Sequence, residues 1–159
     1  GFDVHHELEI VALVGRRGSP ATVDEASRWV AGLALGIDFT LRDLQADCKA
    51  KGLPWFRAKS FRQSAFASPF LSPESPVWSE PFWLEKNGER VQEGERRQML
   101  FSIPALIHEI GIIHALYPGD LIYTGTPQGV GSVNAGDRLR LGIGDRLLST
   151  VSIDIAPVK

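Results

Sequence analysis

The sequence predicts one mainly β domain with about three helices, an α+β arrangement closer to a sheet roll than to a doubly wound α/β layer. Three observations predict it. Apolar runs of strand length recur along the chain, bounded by glycine, proline, asparagine or aspartate. Asn87-Gly88 stands between FWLEK and ERVQE, and that dipeptide favours a two-residue hairpin because both turn residues take positive φ. Helical periodicity is confined to a few short segments.

From His5 to Val14 the pattern is a strand, closed by the turn-like GRRG. Thr22 and Glu25 have the spacing of a capping box and open a short helix around Val23–Trp29. VAGLALGIDF is a second strand, nearly continuous in apolar residues and so buried on both faces until Asp38 interrupts it. Thr40 and Asp43 repeat the capping-box spacing and open a helix that Gly52 ends. After LPWFRAKSF, proline and serine crowd into ASPFLSPESPVWSEP, which reads as an extended surface connection. The hairpin follows. Ile103, Leu106, Ile107, Ile110 and Ile113 keep helical spacing, with Ser102 as cap and Pro118 as stop. LIYTG, RLRLGI and RLLSTVSIDI return to strand, and no repeat or low-complexity tract is present.

A chain of 159 residues with 43% hydrophobic and 23% charged content forms one soluble domain with a sizeable core. Its net charge of −2, with both signs scattered, offers nothing to recruit nucleic acid or a membrane surface, so a small molecule is the expected partner. The most apolar stretch, LFSIPALIHEIGIIHALY, is interrupted by His108, Glu109 and His114, and no run reaches membrane length. The single cysteine, Cys48, cannot form an internal disulfide, which suits a reducing cytoplasm and assigns it to packing. The four tryptophans are likewise assigned to packing. His108 and His114 fall on the polar side of their helix and are read as solvated.

Glu7-Leu8-Glu9 poses a chemical question. In a strand the two carboxylates share a face while Leu8 and Ile10 point the other way. Adjacent like charges repel unless water screens them or a cation joins them, so the segment is either a solvated acidic face or part of a divalent metal site. Asp38 is the candidate third ligand, because a lone acid at the end of an apolar strand is costly unless paired or metal-bound. Three carboxylates form an all-oxygen set that favours Mg²⁺ or Mn²⁺, with Ca²⁺ less favoured.

The strings HHELEIVALVGRRG, GIDFTLRDLQADCKAKGLPWFRAKSF, FSIPALI and LYPGDLIYTGTPQGVG, in that order, closely resemble the fumarylacetoacetate hydrolase family, within it the branch of acylpyruvate hydrolases and oxaloacetate decarboxylases. The resemblance implies a mixed β-roll or sandwich catalytic domain over residues 1–159, usually a homodimer, acting on a small 2-oxo acid. It implies Mg²⁺ or Mn²⁺ on Glu7, Glu9 and Asp38. Arg42 and Gln45 resemble substrate-side donors, Lys59 the lysine that faces the bound substrate and serves catalysis, and Thr126 a substrate-contacting threonine. The expected reaction is hydrolysis of an acylpyruvate such as fumarylpyruvate through a pyruvate enolate. Oxaloacetate decarboxylation, keto–enol tautomerisation and isomerisation of hydroxy-dienoic diacids share that chemistry and stand as alternatives. A ligand-binding or assembly module is the non-enzymatic alternative. The family's water-activating His and Glu pair lies on an N-terminal lid, and this sequence begins after that segment, so the general base is expected upstream of Gly1. His5 shares the face of Glu7 and Glu9, yet the family does not use it as a ligand.

Overall fold

A computed structural model describes residues 2–154. The strand expected from His5 to Val14 is two strands, β1 (Val4–His6) and β2 (Leu8–Val14), which part at Glu7 and enter different sheets. β2 pairs antiparallel with β3 (Val30–Asp38), Leu8 opposite Ile37 and Ala12 opposite Leu33. β5 (Ala65–Ala67) and β8 (Leu121–Tyr123) flank them in the order β5-β3-β2-β8. β1 instead lies between β4 (Thr40–Leu41) and β9 (Gly131–Ser132). Both segments change sheet together: His5 pairs with Thr40, while the Asp38 N–H donates to the Glu7 carbonyl at 2.9 Å. Apolar alternation runs through the bend without a mark, which is why periodicity reads one strand.

The predicted hairpin forms from β6 (Phe82–Lys86) and β7 (Glu89–Gly94), with Asn87 at φ 55° and Gly88 at φ 89°. β10 (Arg138–Ile143) and β11 (Arg146–Ser152) complete a second four-stranded sheet in the order β11-β10-β6-β7. Leu8, Ile10, Ala12 and Val14 of β2 and Leu33, Leu35 and Ile37 of β3 join Leu84, Leu139, Leu141 and Ile143 of the second sheet in one buried cluster. Fully burying a leucine or isoleucine contributes about 1.5–3 kcal/mol, so this interface pins the register of both sheets. Because side chains alternate along a strand, committing the even-numbered residues of β2 to the core turns Glu9 to the opposite face.

The helices close the ends. In α1 (Val23–Ser27) the Thr22 hydroxyl accepts from the Glu25 N–H at 3.1 Å, and the Glu25 carboxylate accepts from the Ala21 N–H, one residue before the cap, at 2.8 Å. The helix stops before Trp29, which packs into the core. The second expected capping box does not form: Thr40 is fully buried in β4, and Leu41 precedes α2 (Arg42–Ala50) without a side-chain cap. Gly52, at φ 63°, follows the end of α2 as expected. α3 (Phe56–Lys59) is one turn that patterning does not reveal and raises the α-helix count among the described residues to four. In α4 (Ile103–Ile113) Ser102 caps the Ala105 N–H and Ile103 and Ile107 are buried, but Ile113 is exposed. The proline- and serine-rich tract is more than a surface connection, since its Leu71 bridges to Leu33 of β3 and it buries Trp78, whose Nε1–H donates to the Ser72 carbonyl at 3.0 Å. His114 is exposed as read, whereas the half-buried His108 places Nδ1 3.1 Å from the Pro20 carbonyl. Cys48 is buried. Among the described residues no helix is long and apolar enough to cross a membrane.

Candidate metal centre

The bend between β1 and β2, the end of β3, the start of α2 and the end of α3 meet at one point. There Glu7, Glu9 and Asp38 each bring a carboxylate oxygen within 4.8 Å of the others. The strand register produces this convergence, because Leu8 opposite Ile37 sets the end of β3 beside the Glu-Leu-Glu segment. Glu7 and Glu9 are only 8% and 3% exposed, so the solvated acidic face is not what the fold builds.

Two cations enter the cluster. Lys59, the last residue of α3, donates from Nζ to Glu7 Oε2 at 2.6 Å, Asp38 Oδ2 at 2.7 Å and Thr40 Oγ1 at 2.8 Å. Arg42, the first residue of α2, donates from Nη2 to Glu7 Oε1 and from Nη1 to Gln45 Oε1, both at 2.6 Å. One helical turn separates Arg42 from the buried Gln45, as their i,i+3 spacing requires. The Arg42 Nε–H is buried without a hydrogen-bond partner among the described residues. On the far side, Glu9 Oε2 accepts from the Gly125 N–H at 2.7 Å, from the loop that follows β8. The neighbouring Thr126 hydroxyl accepts from Gln92 Nε2 at 2.9 Å.

The charges are unevenly balanced. Burial pushes the Glu7 carboxyl up, but hydrogen bonds from Lys59 and Arg42 more than offset it and hold it below its ordinary value. Burial pushes Glu9 up to about 7, against the Gly125 hydrogen bond and with added repulsion from Asp38 and Glu7. Burial likewise raises Asp38, with Lys59 opposing. Lys59 is itself raised: burial lowers it, and the hydrogen bonds to Asp38 and Glu7 outweigh that. Three carboxylates thus face two side-chain cations, and Glu9 is the one neither cation touches. That donor set suits a hard divalent cation, which takes carboxylate oxygens and leaves positions for water or substrate.

Of the residues singled out from sequence, Glu7, Glu9, Asp38, Arg42, Gln45 and Lys59 come together here. Thr126 adjoins through Gly125, with its hydroxyl turned to Gln92. His5 turns away to Asp3, its Nε2 lying 2.9 Å from the Asp3 carboxylate. Sequence reading missed three partners. Thr40 has the spacing of a cap, the Gly125 donor is a backbone group, and Gln92 is an isolated amide. The one available signal for Gln92 is its place at an inward position of β7, opposite Leu84.

Residues 2–154 match the fumarylacetoacetate (FAA) hydrolase C-terminal family. The chain belongs to that family. The mitochondrial oxaloacetate tautomerase of Rattus norvegicus is 46% identical over 143 residues, covering 89% of this chain and 65% of the rat protein. The mitochondrial oxaloacetate decarboxylase of Dictyostelium discoideum is 37% identical, covering 89% of this chain and 66% of its own length. Among solved structures, fumarylpyruvate hydrolase from Pseudomonas aeruginosa in complex with Mn²⁺ and pyruvate superimposes with a TM-score of 0.82 at 34% identity, over 89% of this chain and 61% of that one. This chain therefore spans about two thirds of the length of these relatives.

Proposed function

We propose that residues 1–159 form one catalytic domain of an enzyme that enolises a small 2-oxo acid beside a divalent cation, with oxaloacetate as the substrate and tautomerisation or decarboxylation as the outcome. The observation that carries this reading is the convergence of Glu7, Glu9 and Asp38 with the Lys59 ammonium among them. The 46% identity to an oxaloacetate tautomerase moves the preferred substrate from an acylpyruvate to oxaloacetate.

The three carboxylates would hold Mg²⁺, with Mn²⁺ the alternative and Ca²⁺ third. When bound, the cation supplies Lewis acidity toward the 2-oxo and carboxylate oxygens of the substrate. This chain's residues supply the rest. Lys59, held protonated by its carboxylate neighbours, spends its three N–H donors on Glu7, Asp38 and Thr40; with a cation on those carboxylates it would turn one of these donors to the substrate oxygen on which charge develops, an interaction worth most in the transition state. Arg42 and Gln45, at the start of α2, orient the distal carboxylate, and Thr126 closes the opposite side. In tautomerisation the C3 proton leaves, its electron pair forms the C2–C3 double bond, and the former carbonyl oxygen takes up a proton. In decarboxylation the C3–C4 bond breaks instead, carbon dioxide departs, and C3 is then protonated to give pyruvate.

Acylpyruvate hydrolysis is the second reading, supported by the similarity to the fumarylpyruvate hydrolase structure. Water adds to the acyl carbon and the bond to C3 breaks, releasing an acid and the same enolate. The exposed apolar side chains of Trp55, Phe56 and Phe70 support a further proposal, a homodimer. Parallel assays of oxaloacetate and fumarylpyruvate with Mg²⁺ test the assignment. Faster turnover of oxaloacetate is expected; turnover of fumarylpyruvate alone would reverse the order, and inertness toward both would refute the enzyme.

A further inference from the structure

Gln92 lies on β7, in the sheet that does not contain the carboxylates, and is 2% exposed. Its amide is nonetheless fully engaged. Oε1 accepts from the Leu8 N–H at 3.0 Å and lies 2.8 Å from His6 Nδ1. Nε2 donates to Thr126 Oγ1 at 2.9 Å and to the Pro127 carbonyl at 3.0 Å. The carboxamide oxygen has no hydrogen to give, so His6 donates from Nδ1. One side chain thereby grips both residues that flank Glu7, and with its other end holds the loop whose Gly125 N–H reaches Glu9.

The loop is seated on β7 around this amide. Gly129 has φ 98°, and a Cβ there would stand 2.2 Å from the Val91 carbonyl oxygen and 3.3 Å from Gln92 Cγ. Only glycine permits that approach. A Cβ on Gly94 would meet the Pro127 ring at 3.2 Å. Loop and strand thus touch at backbone distance on both sides of Gln92. A buried amide with every valence used is stiff, because moving it leaves several groups unpaired at once.

We propose that Gln92 is a positioning residue: it sets the distance between the Thr124–Gly129 loop and the Glu7-Leu8-Glu9 segment, and through it the placement of the Gly125 N–H against Glu9 and of Thr126 beside the site. Its effect on substrate rests on the enolising function proposed above; its effect on the loop does not. Gln92→Met keeps the length of the side chain and removes all four hydrogen bonds, while Gln92→Asn keeps the amide but is one methylene too short to span both sides.

The test records the Gly125 amide resonance of the metal-free protein by ¹H–¹⁵N NMR, Mn²⁺ affinity by calorimetry, and kcat and KM for oxaloacetate with Mg²⁺. Gln92 has no bond to Gly125, so a role confined to general stability leaves that resonance in place in the folded variant. Gln92→Met is expected to shift it and to lose about 10–100-fold in Mn²⁺ affinity or kcat, the usual effect of removing a partner that orients a metal site. Gln92→Asn should give the same changes at smaller size and decides the matter if Gln92→Met does not fold. An unmoved Gly125 resonance with unchanged Mn²⁺ affinity and kcat in a folded variant would overturn the proposal, as would failure of both variants to fold, since Gln92 would then be a condition of the fold. A shifted resonance in a protein inert toward oxaloacetate would refute the proposed activity and leave the role of Gln92 standing.

Discussion

Replacing Lys59 by methionine should move metal binding and catalysis in opposite directions. The ammonium sits 2.6 and 2.7 Å from oxygens of Glu7 and Asp38, two of the three acids that would bind the cation. A divalent ion among the same oxygens stands within a few ångströms of Nζ, and like charges at such range repel by several kcal/mol at an effective dielectric of about 20. The lysine side chain is 26% exposed, so water screens part of this. A relief of about 1.4–2.8 kcal/mol, or a tenfold to hundredfold tighter Mn²⁺ complex, is the expected remainder. Losing a preorganised donor to a developing oxyanion costs about 10²–10³ in kcat. Calorimetry of Mn²⁺ binding and the ultraviolet absorbance of enol-oxaloacetate measure the two effects. Parallel loss of affinity and rate would show that Lys59 only braces the acids, and an unchanged kcat would remove it from the reaction.

Other outcomes follow from the same geometry. Glu9→Gln and Asp38→Asn should each weaken Mn²⁺ binding by more than the about 10–100-fold typical of outer partners, which calorimetry resolves; unchanged affinity in both would dissolve the three-carboxylate site. Asp137 is held below its ordinary value by the Asn134 N–H, at 2.8 Å, and then by Asn87, at 2.7 Å. A carboxyl lowered by folding adds stability above its unfolded pKa, near 3.8, and that stability is lost as pH falls through the folded value. The urea midpoint of the wild type should therefore drop further between pH 5 and pH 3 than that of Asp137→Asn, and equal drops would count against the linkage. Light scattering at micromolar concentration should give twice the chain mass, with a monomer mass excluding the proposed dimer.

Much of this was legible in the sequence because the signals are local. The Asn87-Gly88 turn, the Ser102 cap and the apolar run of β3 depend on a few adjacent residues, and each formed as read. Glu7, Glu9 and Asp38 were also legible, since acids inside apolar strands demand a reason. What patterning could not carry is direction in space. The bend at Glu7 interrupts no periodicity, so the change of sheet was invisible. Thr40 has capping chemistry at capping spacing, but the demand of the half-buried Lys59 for a third acceptor claims its hydroxyl. Gln92 acts across a sequence separation of more than 80 residues, on Leu8 and His6, and the Gly125 donor belongs to the backbone, on which residue identity is silent.

One divalent cation is expected among Glu7, Glu9 and Asp38. Anomalous diffraction from crystals grown with Mn²⁺ and oxalate, recorded on both sides of the manganese edge, tests it most directly. One strong peak is expected, coordinated by an oxygen from each of the three carboxylates, with oxalate completing the shell and Lys59 and Arg42 on its periphery. A strong peak elsewhere, or an ordered cluster with Lys59 still bridging Glu7 and Asp38 and no manganese at millimolar concentration, would contradict it.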